Sequence, residues 1–215
     1  MYKWKLKERN MSKFDYVMGY LTADGTAYKD RRGNVCSLVL ELSDEQIIKD
    51  IADEFNKQYH HRSRIIANKE RNFYRVTLNH KDLPCDANSF KKGRAGVKAI
   101  YDSCENKYDF VRGLFDGDGC VSEVPSNHKH LRLTFSINSG CPEIKQIIDS
   151  FCDEHGFSES FYFDKRGSGS WYNSINDQND VMKFFNLIYG SNPTLFLKRK
   201  YDVFISHGFP NLVTG

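Results

Sequence analysis

Apolar positions along this chain follow two periods, and the periods alternate in a fixed order. Residues 36–42 (CSLVLEL) alternate apolar and polar side chains, which predicts a strand with one buried face. In SDEQIIKDIADEF (43–55), Ile47, Ile48, Ile51 and Phe55 recur at helical spacing, and Ser43 is the expected N-cap ahead of an acidic first turn. Both signals return later. LRLTFSI (131–137) reads as a strand, and CPEIKQIIDSFCDEH (141–155) as a helix with Pro142 in its first turn and Ile144, Ile147, Ile148 and Phe151 on one side. Further strands are predicted at 62–67, 72–78, 158–164 and 170–175. Helices are predicted from about Asp180 to Tyr189 and from about Thr194 to Phe204. The chain reads as an α+β protein of two pseudo-symmetric α-β-β-α-β-β-α halves. The N-terminal half is placed at 1–90, a linker containing Gly93 and Gly96 at 91–108, and the C-terminal half at 109–215.

A second repeat sits at the head of each half. VMGYLTADG (17–25) and VRGLFDGDG (111–119) align position by position, and their terminal aspartates are 94 residues apart (118 − 24). Gly19 with Ala23, and Gly113 with Gly117, are small residues four apart on one helix face. Such stripes let two helix backbones approach almost to contact, here across a pseudo-dyad. Each segment ends in Asp-Gly, with Gly25 and Gly119 expected as left-handed C-terminal caps. A carboxylate at the negative end of a helix is misplaced by ~0.3–1 kcal/mol. Two such ends side by side repel, unless a hard cation that prefers carboxylate, water and phosphate oxygens lies between them. Asp24 and Asp118 are therefore candidate metal ligands, and metal beside a phosphodiester is suited to hydrolysis.

Composition narrows the function classes without choosing one. The 215 residues are 40% hydrophobic and 27% charged, with a net charge of +3, which permits a polyanionic partner without demanding one. No stretch approaches ~18 consecutive apolar residues, and the N-terminus (MYKWKLKERN) is charged throughout, so neither a membrane span nor a signal peptide is expected. Six cysteines form no CxxC pair, which disfavours zinc and suits free thiols. An intracellular protein is expected, in cytoplasm or organelle matrix. There is no HxxxH, no nucleophile elbow and no phosphate-cradling GxxxxGK[ST]. The basic residues cluster on expected strands and turns. They are Lys29, Arg31 and Arg32; then Arg62, Arg64, Arg71 and Arg75; then Lys129 and Arg132; then Lys165 and Arg166. Strand alternation would turn every other one toward a common face able to reach phosphates and base edges.

VMGYLTADG and, more closely, FVRGLFDGDGCVS resemble the signature of the LAGLIDADG homing endonucleases, and the element order extends the resemblance over essentially the whole chain. The resemblance implies a monomer whose two signature helices form the interface between halves. Each half would carry a four-stranded antiparallel sheet, the two forming a DNA-binding saddle. It implies a site-specific, divalent-metal-dependent double-strand break in a long, pseudo-palindromic, asymmetric target, without membrane or obligate protein partner. Asp24 and Asp118 would share two or three Mg²⁺ ions. Asp44 and Ser139 (or Asn138) match positions that order the attacking water. Lys200, with Lys198 as substitute, and Lys98 in preference to Lys92, match a basic residue near the scissile phosphate. The first signature has Thr22 where the second has Asp116. An RNA maturase, or a non-catalytic DNA-binding protein on the same fold, is the alternative; retention of both aspartates favours cleavage.

Overall fold

The computed structural model describes residues 11–29, 35–60, 62–68, 70–79, 96–125, 131–167, 169–190 and 193–208. Two four-stranded antiparallel sheets share one topology. The first contains β1 (Thr26–Lys29), β2 (Val35–Leu42), β3 (Arg64–Asn68) and β4 (Phe73–Leu78) in the order β1-β2-β4-β3. The second contains β5 (Gly119–Pro125), β6 (Leu131–Ser139), β7 (Glu159–Asp164) and β8 (Ser170–Ile175) in the order β5-β6-β8-β7. The helices are α1 (Met11–Asp24), α2 (Glu45–Tyr59), α3 (Val97–Ser103), α4 (Lys107–Asp118), α5 (Pro142–His155), α6 (Gln178–Ile188) and α7 (Lys198–Ser206). The first half thus runs α-β-β-α-β-β before α3, and the second closes on two helices instead of one. Within 91–108, α3 occupies 97–103, and α4 starts at Lys107 behind an Asn106 N-cap that accepts from Tyr108 N and Asp109 N.

Alternation fixes which face of each sheet is covered. Leu38, Leu40, Val76 and Leu78 in the first sheet, and Leu133, Phe135, Ile137 and Ile175 in the second, are buried against helices. Their strand neighbours face away: Val39 pairs with Thr77 and Glu41 with Arg75, as Ser136 does with Ser174 and Asn138 with Tyr172. Ile48, Ile51 and Phe55 of α2, Ile144, Ile147 and Phe151 of α5, and Phe184 and Phe185 of α6 complete the core. At its centre α1 and α4 pack on each other, with Tyr16, Val17, Leu21, Phe110, Val111, Leu114 and Phe115 inaccessible to solvent.

Three local expectations are corrected. Asp44, not Ser43, caps α2; its Oδ1 accepts from Gln46 N and Ile47 N. Helix α7 starts at Lys198 and not near Thr194. Neither Gly25 nor Gly119 is left-handed; Gly119 is extended (φ −77°, ψ 164°), so α4 passes straight into β5. Both positions exclude a side chain for another reason. A Cβ at Gly25 would lie 2.3 Å from Leu21 O, and one at Gly119 2.0 Å from the Phe115 ring.

Candidate active site

The α1–α4 contact follows the signature repeat, with residue n of α1 matching n + 94 of α4. A Cβ at Gly19 would fall 2.0 Å from Phe110 O, and one at Gly113 2.1 Å from Tyr16 O. Phe110 is the counterpart of Tyr16, so the two near-collisions are one contact seen twice across a pseudo-dyad. Nearer the C-termini, a Cβ at Gly117 would meet the Ala23 Cβ at 2.3 Å and Asp24 Oδ2 at 3.6 Å. Asp24 therefore reaches the residue that immediately precedes Asp118. Asp24 is exposed and Asp118 half-buried, at the ends of helices that lead directly into β1 and β5.

Lys200 lies at the same end. The residue is 4% exposed, and its ammonium donates to Phe115 O (2.6 Å), Asp116 O (2.7 Å) and Gly119 O (2.5 Å), capping the C-terminus of α4. Burial pulls its pKa down to about 8. Helix α7 is delivered there by α4 itself. The carboxylate of Asp116, inaccessible to solvent, accepts from Leu197 N (2.7 Å), Tyr189 OH (2.6 Å) and Tyr16 OH (2.9 Å). Burial raises the Asp116 pKa, and its donors hold it back. Arg112 bonds Ile188 O and Leu195 O, securing the segment between α6 and α7. At the position matching Asp116, Thr22 turns its hydroxyl back to Met18 O, 2.8 Å away.

The other expected residues are dispersed. Lys98 is exposed on α3, and its ammonium holds both carboxylate oxygens of Asp102 (2.8 and 2.9 Å). Lys198 does the same with Asp202, and the likeness of VKAIYD (97–102) to LKRKYD (197–202) sets Lys98 opposite Lys198, with Ile100 opposite Lys200. Lys92 lies outside the described residues. Asp44 serves as the α2 cap. Ser139 faces the core, 4% exposed, and accepts from Cys141 N, whereas Asn138 beside it is exposed on the outer face. Sequence reading passed over Arg199, Arg112 and the role of Asp116. The 97–102/197–202 repeat was the available signal for sorting the lysines.

Of the basic set, Arg64 and Arg75 stand on the outer face of the first sheet, where Ile66 pairs with Arg75 and Arg64 with Thr77. Arg75 Nη1 lies 3.1 Å from Glu41 Oε1. Arg62 and Arg71 are exposed before β3 and in the β3–β4 turn. Lys165 and Arg166 are exposed in the β7–β8 turn, and Arg166 clasps Asp164 (2.6 Å), holding that carboxyl down at about 2. Lys29 ends β1 and Arg132 lies in β6; Arg31, Arg32 and Lys129 fall outside the described residues.

The donor set at the paired helix ends is oxygen only, which fits a hard divalent ion. Among the described residues no three His, Cys, Asp or Glu side chains gather into a closed cage. An ion held by Asp24 and Asp118 would complete its shell with water and phosphate, as Mg²⁺ commonly does. Cys104, Cys141 and Cys152 are buried free thiols and Cys120 an exposed one. Among the described residues no helix is long and apolar enough to cross a membrane.

No family model matches the chain, and no curated protein matches it by sequence. Solved structures do. I-DmoI in complex with DNA and Mn is 18% identical, with a TM-score of 0.60 over 85% of this chain and 99% of that one. The I-LtrWI LAGLIDADG homing endonuclease bound to target DNA is 13% identical, with a TM-score of 0.60 over 91% of this chain and 89% of the other. Full-length WhiA from Thermatoga maritima is 15% identical, with a TM-score of 0.54 over 95% of this chain and 63% of the other. Two sheets of one topology around a glycine-packed helix pair, matched by I-DmoI over 85% of the chain, give this chain the double-motif LAGLIDADG fold.

Proposed function

We propose that this chain is a site-specific, divalent-metal-dependent DNA endonuclease that makes a double-strand break in a long asymmetric target. One observation carries the reading: two aspartates end two helices whose contact leaves Asp24 Oδ2 3.6 Å from a Cβ position on Gly117, beside Asp118. Nothing in packing calls for two carboxylates at two negative helix ends. A metal-phosphate site does. Mg²⁺, as two or three ions shared by Asp24 and Asp118, would supply Lewis acidity to the scissile phosphate and lower the pKa of the attacking water. The outer sheet faces extend to either side of this point, one from β1 and one from β5. DNA laid across them would meet Arg62, Arg64, Arg71 and Arg75 from one half and Lys165 and Arg166 from the other. Lys29, Arg31, Arg32, Lys129 and Arg132 are assigned to the same surface. The halves are taken as 1–90 and 109–215, joined by 91–108, in a chain that acts as a monomer. The DNA bound in I-DmoI with Mn or Ca, and in I-LtrWI, supports the reading.

The test is selection of cut sites from a randomised library in Mg²⁺ or Mn²⁺, followed by assay of Asp24→Asn and Asp118→Asn on the recovered site. Each variant is expected to lose double-strand cleavage while DNA binding stays within about tenfold, since the ion and not the affinity depends on them. Full cutting by the double variant would end the assignment.

A further inference from the structure

Three consecutive bases open α7, and their surroundings give them three different roles. Lys198 is exposed and spends its ammonium on both oxygens of Asp202 (2.7 and 2.5 Å). Lys200 is buried, and its three N–H groups are accepted by the carbonyls of Phe115, Asp116 and Gly119. An ammonium has three donors, so none remains for a phosphate oxygen unless a cap bond breaks. Arg199 is exposed between them and enters no ion pair or hydrogen bond among the described residues. Its charge bears on Tyr20 and on Lys200, and the charge of Asp24 bears on the same two groups. The first turn of α7 carries no acid, and its backbone N–H groups already present positive charge. The Asp116 carboxylate on Leu197 N offsets the buried charge of Lys200, whereas exposed Arg199 has no such partner among the described residues.

We propose, resting on the endonuclease reading above, that Arg199 is the cation that contacts the DNA phosphate at the Asp24/Asp118 end. Lys200 is a positioning residue that fixes the α4 C-terminus and, through it, Asp118. The planar guanidinium can grip two phosphate oxygens at once, which suits a phosphate whose charge grows during displacement. Asp116 completes the arrangement by fixing Leu197 N and so the start of α7.

The test compares Arg199→Ala, Arg199→Lys and Lys200→Met in the full chain on the selected site. Cleavage rate, DNA binding and thermal melting without DNA are read for each. Arg199→Ala is expected to melt with wild type and to cut slower on the order of a hundredfold, with partial recovery in Arg199→Lys. Lys200→Met leaves three carbonyls without their donor and is expected to lower the melting temperature by roughly 5 °C or more. Wild-type cutting by Arg199→Ala overturns the proposal. So does a Lys200→Met protein that melts normally yet fails to cut, because the phosphate contact would then belong to Lys200. If Lys200→Met does not fold, its cap role is met and the Arg199 pair decides. A wild-type chain that cuts no DNA instead removes the reading beneath.

Discussion

A methyl group on Gly113 would lie 2.1 Å from Tyr16 O and 2.8 Å from Tyr20 N, both backbone atoms of the facing helix. No rotamer change relieves that contact, so α1 and α4 must separate. Overpacking against movable side chains costs about 1–3 kcal/mol. Against backbone, Gly113→Ala is expected to reach the upper end or exceed it, lowering the melting temperature by roughly 6–12 °C for a domain of this size. Gly140→Ala is the control, because a Cβ there approaches Gly169 O only at 3.4 Å. Equal melting of the two variants would mean that the helix contact is looser than described. Gly117→Ala tests the same interface one turn lower, where its methyl would press on Ala23 Cβ at 2.3 Å beside Asp24. It is expected to reduce cleavage more than melting, since it displaces the carboxylates at the helix ends.

Elements were legible from one-sided burial or from residue type. The strands at 72–78, 158–164 and 170–175 fall within a residue of β4, β7 and β8; in β4 a covered face buries Val76 and Leu78 in alternation, whereas β7 and β8 were legible from their aromatic content. Helix ends were less legible. Ser43 and Asp44 are both good caps by composition, and only the bonds from Gln46 N and Ile47 N separate them. The Asp-Gly stops of α1 and α4 suggested a left-handed turn, yet the constraint on those glycines is steric crowding by the residue four positions earlier, Leu21 and Phe115. Lys200 stood out by its neighbours in sequence, whereas its burial depends on Phe115, Asp116 and Gly119, more than 80 residues away. Asp15 shows how far such contacts alter an element. Its carboxylate accepts from Asn106 N (2.8 Å), tying α1 to the start of α4, and burial raises its pKa to about 6 against the bonds from Asn106, Cys104 and Glu105, with Asp109 adding repulsion. Between pH ~4 and 6 the folded chain holds a proton that the unfolded chain has released. Stability therefore falls as pH rises through this window, and the penalty is complete above it. Asp15→Asn keeps an acceptor for Asn106 N and removes the charge. It is expected to gain about 1–3 kcal/mol over wild type at pH 7.5 and little at pH 4. Denaturant melts at the two pH values would show it, and a gain independent of pH would assign the effect to something other than this carboxyl.

At the scale of the molecule the two halves share a backbone but not an outer surface. Beyond the helix pair, the described outer positions of the first sheet include Arg64, Ile66, Arg75 and Thr77; those of the second include exposed Asn138 and Ser160 and the stacked pair Tyr162–Tyr172, 4.9 Å between ring centroids. The exposed strand positions of the first sheet offer charge and those of the second polar and aromatic side chains, with Lys165 and Arg166 set in a turn, so on the endonuclease reading the halves would not read identical half-sites. That reading expects a single chain on one long asymmetric site, with about one helical turn of DNA, ~10 bp, for each sheet. The difference also divides the salt response. Phosphate contacts by Arg release counterions, and each one lost should reduce the slope of log affinity against log salt by about 1. Arg64→Ala is expected to show that reduction in full. Arg75→Ala is expected to show less, because Glu41 neutralises part of its charge before DNA arrives. Tyr162→Ala should weaken binding without altering the slope, as stacking and hydroxyl contacts displace no ions. Binding isotherms on the selected site from low to moderate salt, in Ca²⁺, separate the cases. Equal slope changes in Arg64→Ala and Tyr162→Ala would show that charge is not partitioned between the halves, and two chains per site would show that each half does not read its own part of the target.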